Sequence, residues 1–200
     1  MRHLPSALLL IVAALLAGGC ASEEERLARA DEAAAHAVLA ARTGALEEAL
    51  AGFERALALD GGNLRALYNA GLAALELDRP AEARSYLERF VALRPDDALG
   101  RLHLARAQAR TGDRDAALAG ILRAVEAGLD DPGPLADADF SSLAGDLRYV
   151  QALSLVSLRA GVRPLDDRGR LLVGGAPVRA LELPGVRTAA ACEPTTDLPE

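Results

Sequence analysis

Residues 64–97 read LRALYNAGLAALELDRPAEARSYLERFVALRPDD, and a related pattern stands both before and after them. Laid against 30–63 and 98–131, this stretch brings like residues into register without a gap, a period of 34 residues across 30–131. Small residues recur at the eighth place (Ala37, Gly71, Ala105) and the twentieth (Ala49, Ala83, Ala117), and a bulky apolar one at the twenty-fourth (Phe53, Leu87, Ile121). The twenty-seventh reads Ala56, Phe90, Ala124, so the middle repeat departs there. Turn signals fall inside each repeat at Thr43-Gly44, Asp78-Arg79-Pro80 and Thr111-Gly112-Asp113. Pro80 suits a first helical position, where its missing N–H costs nothing. Ala or Gly at a crossing lets two helix axes approach closely, and a bulky neighbour one turn on fills the gap. The period therefore predicts an all-α chain of paired helices.

Composition agrees. Aromatic residues make up 3% of the chain and Trp is absent, while Ala and Leu dominate, which favours helices packed through small side chains. The formal net charge of -7 leaves no basic surplus to neutralise phosphates, so nucleic acid is disfavoured as a partner. Two cysteines, Cys20 and Cys192, are too few and too differently placed for a disulfide framework.

The repeats resemble the tetratricopeptide repeat, whose signature places small residues where two antiparallel helices touch. The resemblance implies a short right-handed solenoid of three helix-turn-helix repeats, 30–63, 64–97 and 98–131. Departures are His36 at the seventh place, Arg101 at the fourth, and a closing proline in the middle repeat alone, Pro95, against Gly61 and Leu129. Residues 132–161 resemble the segment that often follows a terminal repeat, a short helical turn and then a capping helix from about Gly145 to Ala160. Its apolar positions Leu147, Val150, Leu153 and Leu158 suit the end of a solenoid, which must be capped for solubility. From 162 to 200 an irregular tail is expected. Arg170–Val173 and Val178–Leu181 flank Gly174-Gly175-Ala176-Pro177 and permit a β-hairpin within 170–183, with disorder expected from Pro184 to Glu200.

At the other end, Arg2 precedes an apolar run from Leu4 to Leu16, then Ala17-Gly18-Gly19-Cys20. This reads as an export signal over 1–19, with an apolar run below the roughly 18–20 residues that span a bilayer. Small residues ending in Cys resemble the lipobox of bacterial lipoproteins, with Ala17 where Leu is more usual. That resemblance implies lipidation of Cys20 and a lipid-anchored start to the first helix over 20–29. Ala21 and Ser22, with no Asp beside the cysteine, imply the periplasmic face of an outer membrane. Ser22-Glu23-Glu24-Glu25 forms a capping box, so a helix is expected to start directly after Cys20, holding the solenoid against the bilayer.

Residues that carry chemistry are few. His36 and His103 fall in different repeats without a second ligand at metal spacing, and read as packing or groove residues. Cys192 has no positioned base beside it. The acidic clusters Asp130-Asp131, Asp137/Asp139 and Asp166-Asp167 lack the alternating ligands of a calcium loop and read as solvated loop and cap carboxylates. No Gly-rich phosphate loop or Ser elbow occurs. Neither a catalytic residue, a metal nor a cofactor is expected.

What remains is a surface. Carrying the family's groove positions across gives Asp31, Val38 and Arg42 in the first repeat, Arg65, Tyr68, Asn69, Leu72 and Glu76 in the second, and His103, Arg106 and Arg110 in the third. Cationic groups outnumber carboxylates on this wall, which points to a protein or peptide partner that is acidic or ends in a free carboxylate. The carboxylate clamp of some family members is not reproduced, since Asn69 matches it but Ala34 and Leu99 replace its lysines. The expected role is a non-catalytic, membrane-anchored scaffold or assembly factor of the bacterial envelope. The alternative is an envelope enzyme or accessory subunit whose activity depends on the tail.

Overall fold

The computed structural model describes residues 6–161, 172–173 and 176–177, with side chains from 22 to 161. Seven α-helices follow in the described chain: α1 (Ser6–Arg42), α2 (Leu46–Leu59), α3 (Leu64–Glu76), α4 (Pro80–Leu93), α5 (Ala98–Arg110), α6 (Arg114–Glu126) and α7 (Leu147–Arg159). Two 3-10 turns, Gly133–Ala136 and Ala138–Leu143, separate α6 from α7. Helices α1 to α6 pack as three antiparallel pairs, each second helix also leaning on the first helix of the next pair. This is a tetratricopeptide-type solenoid.

Local chemistry sets the ends of these helices. Asn63, Asp97, Asp113 and Asp146 each accept a backbone N–H with the side chain at the start of α3, α5, α6 and α7. Pro80 opens α4. The turn within each pair needs a left-handed residue at the fifteenth place of the repeat, and Gly44 and Gly112 supply it at φ +83°. The middle repeat puts Asp78 there, at φ +57°.

Close approach explains the small residues. In the first and third repeats a glycine on the second helix faces the eighth-place alanine: a Cβ on Gly52 would lie 2.7 Å from Ala37 Cβ, and one on Gly120 3.0 Å from Ala105 Cβ. The middle repeat reverses this arrangement, with Gly71 on the first helix making room for Leu87 of α4, whose Cγ would lie 2.5 Å from an added Cβ. The core continues without interruption into the cap, where Leu135, Phe140, Leu143 and Tyr149 are buried with Leu118 and Ile121. Tyr149 lies against Phe140 and donates its hydroxyl to the Leu135 carbonyl at 2.6 Å.

Three expectations are corrected. No helix starts at Ser22: α1 runs from Ser6 through Cys20 to Arg42, because nothing in the Ala- and Leu-rich stretch breaks it and two glycines cost only about 1 kcal/mol each. Helix α7 begins at Leu147 rather than Gly145, since Asp146 is its N-cap. Strand β1 (Leu172–Val173) pairs antiparallel with β2 (Ala176–Pro177), so the second strand starts before Val178. The rest of the tail lies outside the described residues, as does the side chain of Cys20. No helix is long and apolar enough to cross a membrane among the described residues.

Candidate functional site

First helices α1, α3 and α5 line one wall, and the cap extends it. The second 3-10 turn sits beside α5 much as α3 sits beside α1, in the place of the first helix of a fourth repeat. Polar contacts along this stack join residues about one period apart, as in Asn63 with Asp31 and Arg110 with Asp78. Each unit therefore speaks mainly to its neighbours.

A cleft of about 380 Å³ opens where the N-terminal ends of α3 and α5 meet the exit of α4. Three of the expected groove residues line it: Arg65, Tyr68 and Asn69. Phe90 and Arg94 of the second helix and its exit, and Leu99 of α5, complete it. Tyr68 is the pivot, its ring centroid 5.1 Å from Phe90 and 5.6 Å from His103. Burial, with the nearby charge of Asp97 as a smaller cause, pushes the Tyr68 hydroxyl pKa up. Asn69 donates Nδ2 to the Arg65 carbonyl at 2.8 Å. Asp97, also on the rim, accepts the Gly100 amide at 2.7 Å as the cap of α5. Leu99 is 46% exposed, an apolar surface left uncovered at the mouth. Arg65 and Arg94 make no ion pair among the described residues.

The other expected groove residues behave differently. Arg42 ends α1 and is exposed, at the opposite end of the first helices from the cleft. Leu72 is half-buried along α3. His103 is not a cation: burial first, and the Arg106 charge second, lower its pKa to about 4, and its Nδ1 is buried without a hydrogen-bond partner among the described residues. His36 is exposed on α1 and does not pack.

Arg106 and Arg110 are not free to meet a partner. Arg106 donates Nε to Asp139 and lies 3.5 Å from Asp137 and 3.7 Å from Glu76. Arg110 reaches Asp78 at 2.7 Å and the Leu75 carbonyl at 2.8 Å, with Asp139 at 3.7 Å. Asp137 and Asp139 are thus not solvated cap carboxylates but the counter-ions of the groove arginines. The cap that carries them is held from below by buried Leu135 and Phe140, and by Arg114 donating to the Ser142 carbonyl. No cluster of His, Cys, Asp or Glu is placed to hold a metal among the described residues. Cys192 and Asp166-Asp167 lie outside them.

The geometry of stacked antiparallel pairs defines a repeat solenoid. The family is then specific: the tetratricopeptide repeat model matches residues 34–98 and 68–134, together just over half of the chain. The chain belongs to the tetratricopeptide repeat family. Solved structures share the fold at low identity. A MamA fragment from Desulfovibrio magneticus RS-1 is 18% identical with a TM-score of 0.57, over 79% of this chain and 97% of that one. Pseudomonas aeruginosa PilF is 19% identical with a TM-score of 0.54, over 65% of this chain and 59% of that one. A mutant Thermobaculum terrenum O-GlcNAc transferase is 21% identical with a TM-score of 0.56, over 70% of this chain and 26% of that one. No curated protein matches the sequence.

Proposed function

We propose that this protein is a lipid-anchored interaction scaffold of the bacterial envelope, which grips a segment of a partner protein in the cleft between α3, α4 and α5. The observation that carries this is the pairing, in one open cleft, of Arg65 and Arg94, which make no ion pair among the described residues, with the apolar faces of Tyr68, Phe90 and Leu99. Such a cleft suits an acidic residue or a chain-terminal carboxylate beside an apolar side chain, because charge-assisted bonds from arginine fix direction while the rings and Leu99 lose water. The role is binding, not catalysis.

Anchoring at Cys20 would act on the same element that opens the solenoid. Helix α1 is continuous from Ser6 to Arg42, and ten residues of helix from Cys20 to Ala30 span about 15 Å. A lipidated Cys20 would hold the first repeat close to the bilayer, on the periplasmic face of the outer membrane.

Photo-crosslinking from position 99 in the native envelope tests the reading. One defined protein should be captured, and capture should fall at least tenfold in the Arg65→Glu/Arg94→Glu chain. Undiminished capture by that variant would remove the cleft from the account. Cys20→Ser should shift the protein from the membrane to the soluble fraction, and unchanged sedimentation would remove the anchor.

A further inference from the structure

Between α5 and the cap, two arginines of the partner-facing wall are already bound to carboxylates. Arg106 and Arg110 stand one helical turn apart, so their guanidinium groups face the same way. Asp139 meets both, one oxygen toward Arg106 and the other toward Arg110. Asp137, two residues earlier, adds its Oδ2 to Arg106 while its Oδ1 accepts the Asp139 amide at 3.0 Å. An Asp-Ala-Asp segment thus lies along the end of the groove in the manner of a bound acidic peptide. Its side chains are only partly out of water, 34% exposed for Asp137 and 20% for Asp139, so solvent can still reach the pair.

We propose that Arg106 and Arg110 form a second site for acidic segments with carboxylates two residues apart, and that the chain's own Asp137-Ala138-Asp139 occupies it as an internal ligand. The argument has three parts. The arginines sit on the wall that the cleft shares, so a partner seated at Arg65 and extended along α3 and α5 runs toward them. The internal carboxylates enjoy a high effective concentration, because buried Leu135 and Phe140 hold them in place. An external acidic segment must therefore exchange with them, and the site stays shut to small or weakly acidic partners. Asp-to-Asn replacement leaves the apolar anchors of the cap untouched and preserves side-chain shape, so it removes the internal carboxylates without removing the cap, leaving only the more exposed Glu76 beside Arg106 and Asp78 on Arg110. The inference rests on the groove being the partner-facing wall, but not on where the protein resides or what the cleft holds.

The probe is the pentapeptide ADADA, blocked at both ends and carrying a fluorophore, titrated with the purified soluble chain and followed by anisotropy. The Asp137→Asn/Asp139→Asn chain should bind it at least tenfold more tightly than the unaltered chain. Adding Arg106→Gln/Arg110→Gln to the opened chain should abolish the gain. Equal binding by opened and unaltered chains, with the helical circular dichroism intact, would overturn the proposal. Should the double Asn chain fail to fold, amide exchange decides. Arg106→Gln/Arg110→Gln alone should speed exchange at Asp139 and Phe140 at least tenfold while α3 and α4 stay protected, and unchanged exchange there would overturn it. Because the readout needs no envelope partner, failure of capture in the envelope leaves this outcome standing, and the reverse.

Discussion

Arg106 of α5 and Asp139 of the cap are joined by a charge-assisted hydrogen bond, with side chains only 22% and 20% exposed. The two residues lie 33 apart in sequence, about one repeat, yet Asp139 belongs to a 3-10 turn and not to a helix pair. The contact fastens the last repeat to the segment that closes the solenoid. Removing Asp139 leaves Arg106 with Asp137 and Glu76, whereas removing Arg106 strands Asp137 and leaves Asp139 only the longer contact with Arg110 at 3.7 Å. Arg106→Ala should therefore cost more than Asp139→Ala, about 2 against about 1 kcal/mol. Denaturant midpoints of the single and double variants measure this, and a double-mutant coupling of zero would show the pair to be incidental.

Gly71 and Leu87 set the spacing of the middle pair. A methyl group on Gly71 would meet three Leu87 side-chain atoms within 3.1 Å, one of them at the branching Cγ, and Leu87 is fully buried. Alanine gains about 1 kcal/mol in helix propensity over glycine, but overpacking a filled core costs about 1–3 kcal/mol. The clash should win, so Gly71→Ala is expected to destabilise by about 1 kcal/mol. Leu87→Ala is itself costly, but in that background Gly71→Ala should cost less than in the parent, and an equal cost in thermal melts of the two would show the clash to be absent.

Much of this architecture was legible because it repeats. The eighth-place small residues and the turns at Gly44, Asp78 and Gly112 mark the helix pairs, and the family resemblance supplies the groove positions Arg65, Tyr68 and Asn69, which line the cleft. Phe90 and Arg94 are not among the groove positions carried over from the family, because they come from the second helix of the pair and its exit. Arg106 and Arg110 were read as free because their counter-ions sit in a segment without helical periodicity. A signal did exist: counting 34 residues on from Ala105 lands on Asp139. The cap keeps the register of a fourth first helix after losing its pattern. Sequence position places His103 on the wall but does not report its burial, which keeps the ring uncharged.

Asp78 holds the left-handed turn position that glycine fills in the neighbouring repeats. For a residue with a Cβ this conformation costs roughly 1–2 kcal/mol, less for Asp than for most. Its ion pair with Arg110 returns little, since Asp78 is 86% exposed there and such pairs are worth about 0–1 kcal/mol. Asp78→Gly should therefore stabilise the protein by about 0.5 kcal/mol. Asp78→Ala, which keeps the Cβ and loses the pair, should destabilise it. A higher melting temperature for the alanine than for the glycine variant would refute the assignment of strain to this turn.

His103 gives the fold a dependence on acid. The ring is packed edge-on against Tyr68, and burial first, then the Arg106 charge, lowers its pKa from 6.5 to about 4, against smaller upward pulls from Asp97 and Asp137. At neutral pH the ring is uncharged in both the folded and unfolded chain, so it contributes no pH slope. Below pH 6.5 the unfolded chain takes up a proton that the folded chain refuses, and unfolding becomes progressively easier. The loss accumulates between pH 6.5 and about 4 and levels off below, where the folded ring is also protonated. Its full size is on the order of 3 kcal/mol. The difference between the parent and His103→Gln isolates the ring from every other titrating group. From pH 6.5 to pH 4.5 the parent should lose about 2 kcal/mol more than the glutamine variant in chemical denaturation. Parallel losses in the two chains would mean that the ring protonates freely in the folded state. In that case His103 would regain a charge in mild acid and could return to the cationic wall.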